Sequence, residues 1–340
     1  MKPLNVSDIG EQELLRRLHQ FCPPHLVGDD AALLAVDPEH RLVVTTDVLI
    51  DGVHFSVGHA SPDTITTSPE DAGWRAIAAN LSDLAAMGAT PMAVTVGLSL
   101  PGHVPVAQVE GLYRGMQDCL STFGGVIAGG DVCRSPVISL AISALGQVKP
   151  GQAIVRTAAQ PGDVILATGV HGASRAGLEL LLSPDCGVGV SEGDRTALIS
   201  AHQRPRPRFD VIHLLHNLNA FDSKRSLAGM DSSDGLADAI IQICRTSGVG
   251  ARIECENLPM PPCFSSWLSP EQAIDWTLYG GEDFELVLCV PESVGRSLVD
   301  RLSTASIIGT ITVQQEVLLI DSSRSPNEVP LVQSRGFQHF

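Results

Sequence analysis

Residues 68–100 read SPEDAGWRAIAANLSDLAAMGATPMAVTVGLSL, and their hydrophobic period changes once along the way. Ser68 can cap a helix, Pro69 suits its first turn, Glu70 and Asp71 complement its dipole, and Gly88 ends it. Trp74, Ile77, Ala78, Leu81, Leu84 and Ala85 recur at helical spacing and form an apolar stripe. Asn80, Asp83 and Met87 fall on a different face, so Asp83 is expected to project away from the main core. Beyond Gly88 the period drops to two. Val94, Val96, Leu98 and Leu100 alternate with Thr95, Gly97 and Ser99, as in a strand buried on one side. A helix running straight into such a strand is the building unit of a mixed α/β-type domain.

The same alternation returns at Ile138, Leu140, Ile142 and Ala144 against Ser139 and Ser143. Arg41 to Val44 reads as another strand, running directly into Thr45-Thr46-Asp47. Between Lys149 and Asp163 the texture changes: Pro150-Gly151 and Pro161-Gly162 bracket a short segment before a new strand, Val164 to Ala167. These breaks predict two domains, residues 1–149 and 150–340. The second half carries helices from Ser174 to Leu182 and from Ser233 to Cys244, and a strand from Phe284 to Val290. Two loops stand out, Ser183 to Asp194 and the proline-rich Leu258 to Pro270. The fold class is α+β, with two mixed α/β-type domains.

Composition narrows the function. The 340 residues carry 22 Lys and Arg against 38 Asp and Glu, a formal charge of −16. That balance disfavours nucleic-acid binding, which needs clustered cations, and attraction to anionic lipid. Only Lys2, Lys149 and Lys224 are lysines, so neither a Walker-A loop nor the protein-kinase lysine and His-Arg-Asp loop can be written. The 8 cysteines are scattered without a C-x-x-C, as in a reducing compartment. No apolar signal core or membrane span is legible, so a cytoplasmic protein is expected.

The acidic residues carry the information. They recur in short motifs rich in Gly, Ser and Thr: Gly28-Asp29-Asp30, Thr45-Thr46-Asp47, Asn80-Leu81-Ser82-Asp83, Gly129-Gly130-Asp131, Asp231-Ser232-Ser233-Asp234-Gly235 and Gly280-Gly281-Glu282-Asp283. Taken singly, Asp30 and Asp131 read as turn residues and Asp231 or Ser233 as helix caps. Asp83, inside an Ala- and Leu-rich helix, is as readily a solvated residue as a ligand. Taken together, converging carboxylates without lysine partners need a cation. Oxygen donors without thiolate or imidazole clusters suit Mg²⁺, which shares its shell with substrate phosphates. The expected site is a metal–nucleotide site at strand ends and helix starts.

In order, these motifs resemble those of the thiamine-monophosphate kinase family. The resemblance includes Asp51-Gly52-Val53-His54-Phe55, the run from Asn80 to Ala89, Gly280 to Leu286, and the ending Gly336-Phe337-Gln338-His339-Phe340. It spans essentially the whole chain, and its first motifs recur in the wider superfamily of aminoimidazole ribonucleotide synthetase. The resemblance implies a PurM-like two-domain architecture whose N-terminal domains pair into a homodimer. It implies Mg²⁺ ligands at Asp30, Thr45, Thr46, Asp47, Asp83, Asp131, Asp231 and Asp234, with several ions bound. It places nucleotide contacts at Tyr113, Gly130, Asp131, Arg156 and Ser233, with Arg156 on phosphate. His54, Glu282 and Phe337 match residues around thiamine monophosphate. Thr45 stands where Ser is common, Ser232 where the family is usually apolar, and the loop from Ser56 to Ser68 is longer than usual.

The implied reaction passes the γ-phosphoryl group of ATP to thiamine monophosphate. A phosphate acceptor has a second pKa of about 6 and needs no general base, so none is nominated. Two alternatives stay open: an aminoimidazole ribonucleotide synthetase-like enzyme, and a non-catalytic Mg²⁺–nucleotide binding protein. No nucleic-acid or membrane partner is expected.

Overall fold

The computed structural model describes residues 3–221, 225–322 and 327–335. The chain divides into two compact units, Met1–Leu84 with Ala89–Val148, and Ala85–Gly88 with Lys149–Phe340.

Unit 1 contains α1 (Val6–Leu18), β1 (Arg41–Ile50), all but the last two residues of α2 (Pro69–Ala86), β2 (Thr90–Leu100), α3 (Val106–Phe123), β3 (Val126–Arg134) and β4 (Ser139–Val148). The sheet order is β1-β4-β2-β3, with β2 and β3 parallel and the other pairs antiparallel. A parallel pair needs a crossover, and α3 supplies it. Val94, Val96, Leu98, Leu100, Leu140, Ile142 and Ala144 are buried on the helix side, as their alternation predicts. The other face exposes Leu42, Val44 and Val48 of β1.

Ser68 caps α2, its Oγ accepting from Asp71 N at 3.1 Å. Gly88, at φ 70°, closes it in a Schellman arrangement: Gly88 N donates to Ala85 O and Ala89 N to Leu84 O, each at 2.8 Å. The helix is not solvated on its Asn80 face. Asn80 is fully buried there, because β1 crosses that side. Asp83 therefore faces β1 and does not project away from the protein.

Unit 2 contains β5 (Val164–Ala167), α4 (Ala173–Leu182), α5 (Glu192–Gln203), α6 (Phe209–Asn217), β6 (Ala228–Asp231), α7 (Leu236–Ser247) and β7 (Gly250–Glu254). After these come α8 (Phe264–Trp267), α9 (Pro270–Tyr279), β8 (Leu286–Val290), α10 (Glu292–Val299), β9 (Ser306–Thr312), β10 (Val317–Ile320) and β11 (Glu328–Pro330). They build a mixed sheet in the order β11-β10-β7-β9-β5-β8-β6. Ile240, Ile243 and Cys244 of α7 pack with Val287 and Cys289 of β8 in its core. The two expected loops are partly helical, since α5 starts at Glu192 and α8 lies within the proline-rich stretch, and two element starts also differ from expectation. Helix α7 starts at Leu236, because Ser232 to Gly235 form a turn ahead of it, Gly235 N donating to Ser232 O. Strand β8 starts at Leu286, because Glu282 and Phe284 have φ of 60° and 52°, outside the strand region.

Candidate functional site

In unit 1, β1 and α2 bring three of the expected residues together. Thr45 Oγ1 donates to Asp83 Oδ2 at 2.5 Å, and Asp47 N donates to Asn80 Oδ1 at 3.1 Å. Asn80 Nδ2 in turn donates to Ala76 O at 3.0 Å, so the helix holds the strand by a fixed amide. Thr45 and Asp47 share one face of β1 because they are two apart. Thr46 faces the other way and bonds Ser143 Oγ at 2.9 Å. Its hydroxyl is therefore not brought to Asp83.

The remaining acidic residues of this unit lie elsewhere. Asp30 is exposed in the loop between α1 and β1. Asp131 is not in a turn: it pairs with Gly97 inside β3, at the opposite edge of the sheet from Asp47. Three strand spacings separate their main chains, about 14 Å. Thus Asp47 and Asp131 both lie within strands, not at strand ends as the motifs suggest.

Tyr113, Gly130 and Asp131, three expected nucleotide contacts, do converge. They line one small cavity with Leu15, Val27 and Ile127. Tyr113 comes from α3, is 4% exposed, and packs its ring 5.7 Å from that of Phe21. Burial pushes its hydroxyl pKa well up, so it stays a neutral hydrogen-bonding phenol.

His54 sits in the turn after β1. Its Nδ1 accepts from Ile50 N at 3.1 Å, which leaves the ring proton on Nε2. The buried Asp51 orders the chain beyond it, accepting from Val57 N at 3.0 Å and Ala60 N at 2.8 Å. Ser56 and Thr66 fold the long loop back on itself. Sequence reading missed Asp51 as an organiser, although it opens the same motif as His54.

In unit 2 Asp231, 2% exposed, ends β6, and the turn after it carries the exposed Asp234, with Ser233 Oγ 3.4 Å from Asp231 Oδ1. Glu282 N donates to Ser233 O at 2.6 Å, so this turn and the Gly280–Leu286 motif are joined. Glu282 also lies 3.8 Å from His202 Nδ1. Val155 forms a parallel bridge to Ala228, which places the exposed Arg156 beside the β6 edge. Phe337 lies outside the described residues.

Two further carboxylates of the same motif, unassigned from sequence, are internal. Asp283 takes Gly172 N at 2.6 Å and Ser174 N at 2.8 Å, capping α4. Glu285 takes Thr168 Oγ1 at 2.6 Å and pairs with Arg208, which also holds Asp210. These bonds anchor the residues that flank Glu282 and explain how its left-handed backbone persists.

Burial raises the Asp283 carboxyl from 3.8 to about 7, against the two backbone bonds that favour its charge. The folded state then keeps a proton that the unfolded state has released between those values. Its stabilising contribution is accordingly full below the unfolded pKa and falls as pH rises toward about 7. The unfolding midpoint of the wild type relative to Asp283→Asn should decline across that window. A difference independent of pH would show that Asp283 does not titrate there.

The donor types fit Mg²⁺. Thr45, Asp47 and Asp83 offer hydroxyl and carboxylate oxygens, as do Asp231, Ser233 and Asp234. Among the described residues no three His, Cys, Asp or Glu side chains form a metal-holding group. A sparse set suits Mg²⁺, which takes one or two carboxylates and completes its shell with water and phosphate.

Comparison with known proteins bears on the whole chain. AIR synthase related protein, N-terminal domain, matches residues 28–148, and the corresponding C-terminal domain matches residues 160–321. The chain is 46% identical to a thiamine-monophosphate kinase of Synechococcus elongatus, covering 100% of this chain and 99% of that one. The crystal structure of thiamine-monophosphate kinase from Stenotrophomonas maltophilia K279a matches with a TM-score of 0.75 at 32% identity, over 91% of this chain and 94% of that one. A structure described as AaThiL complexed with AMPPCP and TMP matches with a TM-score of 0.74 at 28% identity, over 100% of both chains. With motifs, fold and full-length similarity in agreement, the chain belongs to the thiamine-monophosphate kinase family.

Proposed function

We propose that this protein transfers the γ-phosphoryl group of ATP to thiamine monophosphate by direct in-line displacement, giving thiamine diphosphate and ADP. The reaction would be the last step of thiamine diphosphate biosynthesis, carried out in the cytoplasm. The observation that carries the reading is the 46% identity to a curated thiamine-monophosphate kinase along the full chain. The oxygen-only donors at β1, α2 and the β6 turn support it.

The roles follow from the chemistry. Asp30, Thr45, Asp47, Asp83, Asp231 and Asp234 are the Mg²⁺ ligands in this reading. Thr46 acts through its main chain, since Ser143 takes its hydroxyl. Bound Mg²⁺ would neutralise and orient the polyphosphate. Tyr113, Gly130 and Asp131 contact the nucleotide, while Arg156 and Ser233 contact its phosphates. His54, Glu282 and Phe337 hold the acceptor. Thiamine monophosphate is largely dianionic near neutral pH, so its phosphate oxygen attacks without a base. The residues' contribution is therefore positioning and charge complementarity. A homodimer belongs to the same reading, supported by the exposed Leu42, Val44 and Val48 on the open face of the unit 1 sheet.

The test is to incubate the protein with ATP, Mg²⁺ and thiamine monophosphate and to separate the thiamine species by chromatography. Thiamine diphosphate should form from the monophosphate and not from thiamine. Formation of ADP without any thiamine product would sink the assignment.

A further inference from the structure

A hydrogen-bonded chain in unit 2 ends on Arg156. Arg156 Nη1 donates to Gln242 Oε1 at 2.9 Å, and Gln242 Nε2 donates to Asp238 Oδ2 at 2.5 Å. The other carboxylate oxygen, Oδ1, accepts from Gln333 Nε2 at 2.7 Å. The main chain of Arg156 is held as well, its carbonyl accepting from Thr246 Oγ1 and Ser247 Oγ, each at 2.9 Å.

Asp238 lies in the first turn of α7 and is 7% exposed. A carboxylate there complements the helix dipole, but that use requires no glutamine on either side. Here each oxygen accepts from an amide on a different element. The arrangement also fixes which way Gln242 points: its NH₂ must meet the carboxylate, and its oxygen the guanidinium. Asp238 and Gln242 are four apart, so one helix face presents both. A surface arginine otherwise samples many rotamers, and ordering it on a ligand costs entropy. A guanidinium already held on one N–H keeps its remaining donors in a fixed plane.

We propose that Gln242 and Asp238 are positioning residues for the nucleotide. They orient Arg156 and tie it, through Gln333, to the segment that leads to the C-terminus. The proposal rests on the reading of Arg156 as an ATP-phosphate contact. It adds that this contact depends on a chain of neutral and acidic partners that never touch ATP. Because Gln333 closes the chain, seating of the turn Gln333–Arg335 and aiming of Arg156 favour each other.

Steady-state kinetics of the full chain with Mg²⁺–ATP and thiamine monophosphate test this, using Arg156→Ala, Gln242→Leu, their combination, and Gln333→Ala. Gln242→Leu should raise the KM for ATP about tenfold, the scale of one hydrogen bond to a charged group, with the acceptor KM and kcat little changed. In the Arg156→Ala background Gln242→Leu should add nothing, because it acts through the arginine. Gln333→Ala should raise the ATP KM in the same direction by less.

Fully additive effects of Arg156→Ala and Gln242→Leu would overturn the proposal. So would equal changes in both KM values together with a lower melting temperature, the mark of a structural role. No change with Gln333→Ala would remove the link to that turn. An unchanged ATP KM in Arg156→Ala itself would instead defeat the reading of Arg156, and the proposal with it. The product assay with the wild type would still report on the kinase activity separately.

Discussion

Asp47→Asn should lower kcat/KM by about 10²–10³-fold, the scale of removing one preorganised electrostatic contact, while the protein stays folded. The fold should survive because Asp47 holds β1 to α2 through its main-chain N–H, which bonds Asn80 Oδ1 at 3.1 Å. Asparagine keeps that bond and the shape of the side chain. It removes one negative charge from the side of α2 and β1 that carries Asp83. Without a cation, neighbouring carboxylates repel, so the variant should melt no lower than the wild type in metal-free buffer. Loss of turnover with an unchanged melting curve is the paired signature of a ligand. Normal turnover would remove Asp47 from the metal site, and a collapsed melting curve would make it structural.

Arg208→Leu should cost about 3–5 kcal/mol of stability, by stranding a buried charge. Arg208 is 9% exposed and holds both Asp210, at 2.8 Å, and Glu285. Burial works against its own charge, yet the Asp210 hydrogen bond and the nearby Glu285 raise its pKa further. Glu285 is closely enclosed. A side-chain carbon at Gly169 would stand 1.9 Å from its Oε1, so only glycine lets the chain pass. Burial already lifts the Glu285 carboxyl against the pull of Arg208 and the Thr168 bond. Without the guanidinium the carboxylate would take up a proton more readily, so the deficit should narrow as pH falls. Adding Glu285→Gln to Arg208→Leu should recover part of the loss, since the stranded charge is then gone. Urea unfolding of the variants checks both statements. A loss below about 1 kcal/mol would mean that the pair behaves like an exposed one.

The two predictions mark how far the residues alone disclose the site. Strong periodicity was legible: the cap at Ser68, the end at Gly88 and the alternation of β2 and β4 all follow from side-chain type. Helix α3 was not legible, because Gly111 and Gly115 lower its helix propensity. Those glycines serve packing. A side-chain carbon at Gly115 would stand 1.7 Å from Glu70 O of α2. Propensity yielded there to close helix contact, a tertiary fact.

The candidate site shows the same division. Thr45 and Asp83 are 38 apart in sequence, and only the packing of α2 on β1 brings their oxygens to 2.5 Å. The Gly129-Gly130-Asp131 motif reads as a turn by composition, yet its parallel pairing with β2 makes it strand. Asp283 and Glu285 resembled their neighbour Glu282 in sequence. Their burial, and with it their structural role, depends on Gly172, Ser174, Thr168 and Arg208, all more than 70 residues away. One signal for Arg208 was present: Arg204-Pro205-Arg206-Pro207-Arg208 concentrates basic charge in an acidic chain.

The most direct measurement follows the phosphorus itself. ATP labelled with ¹⁸O in its γ-phosphoryl group would be mixed with Mg²⁺, thiamine monophosphate and the protein, and the thiamine diphosphate analysed by mass spectrometry. The label should appear in the terminal phosphate of the product, one equivalent for each ADP formed. Label recovered only as inorganic phosphate, with no thiamine diphosphate, would contradict the transfer.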